Sequence, residues 1–273
     1  MHPTRHLPFL TLALLAICAA RVAAQPELSV LSSFGAPDSR APQGIDTDPS
    51  GSLWISTAAP STATDPIFEV TRAGSVLTQF ASPGTDAQAI DYDTTSNTLW
   101  HVTSPTFAQS TLYNLSTSGS VLNSAPVRTA FGDVQGVTHH NTTGHIWLTN
   151  SGGTLFETDL STTVYNTFNS SPTFRFGAAV DYDPSSGNLW VSGQDLTTGR
   201  NVLAELDAAG TFLRTLNVPV SIGGIQDIAV DGAAFWISDI TGDFHEVAAI
   251  PAPPVLISGL GLFAVLGLRR RTI

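Results

Sequence analysis

The sequence predicts an all-β fold: a five-bladed β-propeller closed by its N-terminal strand, flanked by an N-terminal signal peptide and a C-terminal hydrophobic helix. Three observations predict it. Five tryptophans, Trp54, Trp100, Trp147, Trp190 and Trp236, are separated by 46, 47, 43 and 46 residues. Each stands at the same point of a run that reads as four short strands joined by tight turns, and four strands in about 45 residues is the period of a propeller blade. The last unit lacks its fourth strand, and the missing piece stands at the front: Ser29-Val30-Leu31-Ser32-Ser33-Phe34 matches Ser75-Val76-Leu77-Thr78-Gln79-Phe80 in four of six positions. A β-sandwich of similar hairpins is the competing architecture. The even Trp spacing and the split last unit favour the ring.

Composition narrows the function classes. Of 273 residues, 42% are hydrophobic and only 12% charged, with a net charge of −11. All 11 basic residues are arginine. Nucleic-acid binding is excluded, because neutralising phosphates takes clustered basic side chains. Disorder is excluded by apolar and aromatic residues spread along the chain. The single Cys18 leaves no disulfide framework and no Cys-based zinc site.

Residues 1–24 read as a secretory signal. Arg5 with the amino terminus forms the positive region, Leu7 to Ala20 the apolar run, and Val22-Ala23-Ala24 the small-residue cleavage site. Signal peptidase is expected to cut between Ala24 and Gln25. The alternative, lipidation at Cys18, meets Ile17 where a small residue is expected. Residues 25–249 form the propeller.

Within it, the five first-and-second-strand pairs read QGIDTDPSGSLWIS (43–56), QAIDYDTTSNTLWHVT (88–103), QGVTHHNTTGHIWLTN (135–150), AAVDYDPSSGNLWVSG (178–193) and QDIAVDGAAFWISD (226–239). Asp-Pro-Ser-Gly at 48–51 and Ser-Gly at 186–187 carry turn chemistry. The Val, Ile, Leu and Trp around them suit strands. A second pair follows: Ile67–Val70 then Ser75–Phe80, Leu112–Leu115 then Ser120–Leu122, Val202–Leu206 then Thr211–Leu216. In the fifth unit Asp243–Val247 is the third strand. The N-terminal strand completes that blade, and closure removes exposed strand edges.

Candidate site residues follow from the register. The first strand of each blade lines the channel, and its opening position carries Gln43, Gln88, Gln135, Ala178 and Gln226. Four amides there either form a polar ring that holds water, sugar hydroxyls or a cation, or cap neighbouring blades through backbone hydrogen bonds. Asp46, Asp91 and Asp181 recur at one position further along, and Asp48, Asp93, Asp183 and Asp231 at another. An Asp-x-Asp pair offers oxygen ligands to a hard cation, calcium above all. Repetition in register points instead to one local job done in each blade, such as fixing the turn before the Trp strand. No cofactor is otherwise expected.

The third blade replaces Asp-Tyr-Asp with Thr138-His139-His140, and His145 follows. Vicinal His139 and His140 point to opposite faces of a strand. A three-His zinc site therefore needs the turn bearing His145 to fold back. No nucleophile elbow, phosphate loop or dinucleotide fingerprint is present.

The tail is tripartite. Ile250-Pro251-Ala252-Pro253-Pro254 precedes an apolar run, Val255 to Leu268, and Arg269, Arg270 and Arg271 close the chain two residues from its end. Residues 255–268 would form a helix of roughly 21 Å at 1.5 Å per residue, short against a bilayer core of about 30 Å. Snorkelling arginines would help it span, at least transiently. Residues 250–273 resemble the PEP-CTERM sorting signal of Gram-negative bacteria. That resemblance implies recognition by a membrane-embedded exosortase-type transpeptidase, cleavage near Pro251-Ala252-Pro253, and delivery to the cell surface or extracellular matrix. Ala252 stands where the family carries Glu. The other reading is a plain single-span anchor. Without both ends the body has six Arg against 22 acids, a net charge near −16.

The Gly-Ile-x-x-Asp-x-x-Gly-x-Leu-Trp-Ile type runs resemble repeats of the NHL, streptogramin-lyase and gluconolactonase group. The resemblance implies the propeller, on which enzymes and non-enzymes are both built. The lactonases of that group hold a divalent metal through Glu, Asn and Asp on inner strands. Here Glu27, Glu69, Glu157, Glu205 and Glu246 fall in outer-strand segments or before the first strand. The lyases' His and Glu pair has no identifiable counterpart. The expected function is an exported, non-enzymatic propeller that binds an extracellular polysaccharide or a surface protein. The alternative is an extracellular hydrolase or lyase of a lactone, ester or glycan, with a channel-mouth site built on the inner Asp residues and His139 or His140. A surface protein without a ligand is the third reading.

Overall fold

The computed structural model describes residues 25–250, apart from 59–63, 107–108, 128–130 and 162. The signal segment and the tail, with Ala24, Pro251, Ala252, Pro253 and Arg269–Arg271, lie outside the described residues. Among the described residues no helix is long and apolar enough to cross a membrane.

Five four-stranded antiparallel sheets form the blades. Blade one is β2 (Ala41–Thr47), β3 (Leu53–Ala58), β4 (Pro66–Val70) and β5 (Val76–Ala81). Blade two is β6 (Ala87–Asp93), β7 (Thr98–Thr106), β8 (Gln109–Ser116) and β9 (Val121–Pro126). Blade three is β10 (Val134–His139), β11 (Ile146–Asn150), β12 (Thr154–Thr158) and β13 (Val164–Asn169). Blade four is β14 (Phe174–Asp183), β15 (Asn188–Asp195), β16 (Asn201–Leu206) and β17 (Phe212–Asn217). Blade five is β18 (Ile225–Asp231), β19 (Ala234–Asp239), β20 (Asp243–Ala249) and, outermost, β1 (Leu28–Gly35). The N-terminal strand therefore closes the ring, with Val30 opposite Val247 and Phe34 opposite Phe244. The two ends of the body leave side by side, and Ile250 N–H donates to the Glu27 carbonyl at 3.0 Å.

Strand alternation explains how the blades stack. In β3, Leu53 and Ile55 face blade five, where they meet Ala229, Trp236 and Phe244. Trp54, between them, faces blade two and meets Ile90, Leu99 and Leu115. The same division recurs: Trp100 against Val137, Ile146 and Leu148, Trp147 against Val180, Leu189 and Val191, and Trp190 against Ile228, Phe235 and Ile237. Each Trp fills one blade interface, and the core is five inter-blade clusters rather than one central mass. Period-2 side-chain geometry makes this possible, since one strand serves two neighbours.

The turn between third and fourth strands carries a second lock. Gly74, Gly119 and Gly210 adopt φ of +79°, +86° and +77°. A Cβ at Gly119 would lie 2.6 Å from the Phe80 ring of the preceding blade, and one at Gly74 2.7 Å from Phe34. Glycine is needed twice over, for the left-handed backbone and for the approach of an aromatic ring. Phe34 and Phe80 in turn lie against Trp236 and Trp54 at 5.8 and 6.0 Å between centroids.

Candidate functional site

The inner strands β2, β6, β10, β14 and β18 surround the channel. Each is a sheet edge, so every second N–H lacks a partner within its own blade. Asp46 accepts from Tyr92 N–H of the next blade. Asp91 accepts from His139 N–H at 3.1 Å. Thr138 Oγ1 accepts from Tyr182 N–H at 3.1 Å, and Asp181 from Val230 N–H. One side-chain oxygen per blade latches the following blade. Blade five carries Ala229 at that position. There Asp227, two residues earlier, accepts from Ile45 N–H at 3.2 Å and Ile90 N–H at 3.4 Å.

This differs from the turn-fixing role expected for Asp46, Asp91 and Asp181. That role belongs to three of the second set, whereas Asp231 pairs with Arg72. Asp48 Oδ1 accepts from Ser50 N–H at 2.7 Å and Ser52 N–H at 3.2 Å. Asp93 and Asp183 accept from Thr95 and Ser185 N–H, both at 2.8 Å. Hydroxyl and amide donors hold these three below the ordinary carboxylate range against the opposing effect of partial burial.

The latching carboxyls are shifted the other way. Burial, then the charges of Asp181 and Asp91, raise Asp46 well above its usual value. Burial and the Asp181 charge raise Asp91 likewise. Burial pushes Asp181 up to about 7, and burial raises Asp227 well above the ordinary range. Thr138 Oγ1 lies 2.8 Å from Asp91 Oδ1 and 3.1 Å from Asp181 Oδ1. A hydroxyl has one proton and donates to one carboxylate at a time. The second contact is satisfied when that carboxyl carries its own proton, which agrees with the raised values. Asp46, Asp91, Asp181, His139 and Tyr182 line a small cavity of about 70 Å³ at this end. Among the described residues no group of three or more His, Cys, Asp or Glu is placed to hold a metal ion.

The three histidines separate. His139 stacks on Trp100 at 5.5 Å, with Nδ1 3.5 Å from Asp93. His140 stacks on Tyr182 of the following blade at 4.2 Å. His145 binds Glu157 at 2.7 Å and lies flat on Tyr165. Opposite strand faces send the first two to different blade interfaces, and the third turns outward.

At the other end of the channel the glutamines are half-buried. Gln135 Nε2 contacts Asp133 at 3.4 Å, and the side chains of Gln43 and Gln226 make no hydrogen bond among the described residues. A pocket of about 360 Å³ opens here between blades three, four and five. Gln135, Gln194, Gln226, Asn150, Asn201 and Arg175 give it its polar lining.

Sequence reasoning passed over several of these residues. Arg175 stands three residues ahead of the aligned run, although Ala178 in place of Gln marks blade four as different. Asp227 falls at a position that is Gly or Ala in the other four blades. His101 is fully buried between Ser82 Oγ at 3.0 Å and the Ala89 carbonyl at 2.8 Å, and burial lowers it to about 4. Nothing in its sequence neighbourhood marked it.

No protein-family model matches the chain, and no curated protein sequence does. Among solved structures, virginiamycin B lyase from Staphylococcus aureus is similar over 80% of this chain and 69% of its own, at 19% identity and a TM-score of 0.44. A streptogramin B lyase structure matches over 80% of this chain and 67% of its own, at 15% identity and 0.44. A Bacteroides caccae protein of unknown function matches over 79% and 83%, at 14% identity and 0.49.

Proposed function

We propose that this chain is an exported β-propeller, sorted to the cell surface or matrix, that binds extracellular polysaccharide through its channel mouth and performs no chemistry of its own. The observation that carries the reading is the asymmetric, amide-rich pocket at one end of an otherwise repetitive channel. Hydroxyl-bearing ligands are recognised by side chains that both donate and accept, and amides do both. The inner carboxyls support binding over catalysis, since each latches a neighbouring blade. Calcium is not required by this reading. The sorting half is supported by the sequence of the two ends, and the described body begins and finishes side by side, with Ile250 N–H donating to the Glu27 carbonyl.

The test follows the full chain in a Gram-negative host with and without an exosortase-type transpeptidase. A signal-cleaved chain anchored through its tail is expected without the transpeptidase. With it, a shorter species is expected at the surface, retained on polysaccharide matrices. Full-length protein that stays in the cytoplasm would overturn the export reading. Surface protein that binds no glycan but captures a second surface protein would overturn the ligand.

A further inference from the structure

We infer that the pocket at the junction of blades three, four and five takes the carboxylate of an acidic sugar residue, with Arg175 as its fork. This rests on the polysaccharide reading and narrows it to a uronate-bearing glycan.

The first argument is charge pairing. Five arginines of the body are described. Arg40 pairs with Asp38 and Asp65, Arg72 with Asp231 and Glu246, Arg200 with Glu27, and Arg214 with Glu205. The Arg175 guanidinium has no ion pair and no hydrogen bond among the described residues. On a body with 22 acids, an unpaired guanidinium stands out. Among the described residues it is also the one charged side chain lining the 360 Å³ pocket, whose volume falls within the roughly 300–1,000 Å³ of small-molecule sites.

The second argument is the broken repeat. β14 runs for 10 residues, against 7, 7, 6 and 7 for the other inner strands. The extra length carries Arg175 to the channel mouth, opposite Gln194. At the ring position where four blades place Gln, blade four has Ala178, which leaves room beside the guanidinium. The repeat fails here in strand length, side-chain size and charge at once.

The third argument is ligand chemistry. Guanidinium presents a planar fork that matches a carboxylate in bidentate geometry. One positive charge balances a monoanion. A phosphate dianion would call for more cationic groups than this lysine-free body offers. Around the fork, the free Gln226 amide donates and accepts, while Asn150 and Asn201 direct their amides to the carbonyls of Phe131 and Gly223. Phe176, the aromatic residue of the lining, is buried. Hydrogen bonding rather than ring stacking would therefore hold the sugar.

The test is affinity electrophoresis of the full chain through gels containing polygalacturonate, the same polymer with its carboxyls reduced to alcohols, or dextran sulfate. The wild-type chain should be retarded by polygalacturonate far more than by its reduced form. Arg175→Met should weaken that retardation at least about tenfold, the scale of a lost charge-assisted hydrogen bond. Arg175→Lys, which keeps charge but not the fork, should fall between, and Gln226→Ala should weaken binding less. Tryptophan fluorescence verifies folding; if the Met variant misfolds, the Lys variant carries the comparison. Equal retardation of wild type and folded Arg175 variants overturns the inference and leaves polysaccharide binding standing. Tighter, Arg175-dependent binding of dextran sulfate overturns the carboxylate assignment. A wild-type chain that no polysaccharide retards overturns this inference and the reading beneath it.

Discussion

Replacing Asp181 by Asn should change how stability depends on pH. Asp181 is 6% exposed, and burial raises it from 3.8 to about 7. A carboxyl whose value is raised on folding binds its proton more tightly in the native state. Its contribution is fully present below about pH 3.8 and is lost as pH rises through about 7. At about 1.36 kcal/mol per unit, the loss between pH 4.5 and 7.5 is about 3 kcal/mol. Asparagine has no such proton; its single amide oxygen keeps the bond from Val230 N–H, and the bond from Tyr182 N–H to the other oxygen is lost equally at every pH. The stability difference between variant and wild type should therefore move by about 3 kcal/mol toward the variant across that range. The change is larger if Asp46, Asp91 and Asp227, all raised partly by the Asp181 charge or by burial, relax with it. Urea denaturation of the full chain, followed by fluorescence of the buried tryptophans at half-unit pH steps, measures it. A difference that stays constant from pH 4.5 to 7.5 would refute the shared-proton account of Thr138 and its two carboxyls.

His101→Gln should act with the opposite sign. The buried imidazole is lowered from 6.5 to about 4, so the wild-type chain loses stability as pH falls from 6.5 toward 4, by about 3 kcal/mol. The variant should lack that loss, which the same titration reads as a steeper decline of stability with rising pH. Trp236→Ala should cost about 3–5 kcal/mol, because the ring is fully buried between blades five and one. The midpoint of urea unfolding measures this, and a cost under about 1 kcal/mol would contradict the interface role.

Much of the fold was legible because its signals are local. Turn chemistry at Asp48, Asp93 and Asp183 is written within four residues, and the structure shows the hydrogen bonds that the spacing implied. Strand alternation placed Leu53 and Trp54 on opposite faces. The match between Ser29–Phe34 and Ser75–Phe80 revealed the closing strand before any contact was known. The site was less legible. The Asp repeated on three inner strands announced a repeated job, but the N–H that donates to it lies 46 to 49 residues away on the next blade, and no local pattern records that distance. The repeated glutamines were visible, whereas the residue that distinguishes one sector of their ring was not.

Sequence period and turn residues alone determined the blade count and the strand order within each blade, because these depend on side chains within a few residues of one another; the closing strand was legible only as a repeat of Ser75–Phe80, since the pairing it makes, Val30 opposite Val247, spans the chain. Tertiary contact decided the rest. Whether a carboxyl is turn cap or blade latch depends on which unpaired N–H the neighbouring sheet presents. Whether an arginine is neutralised or free depends on which acids the ring brings within reach. Arg214 and Arg175 look alike along the chain. One meets Glu205 across a strand pair, and the other faces the channel mouth with no acid beside it.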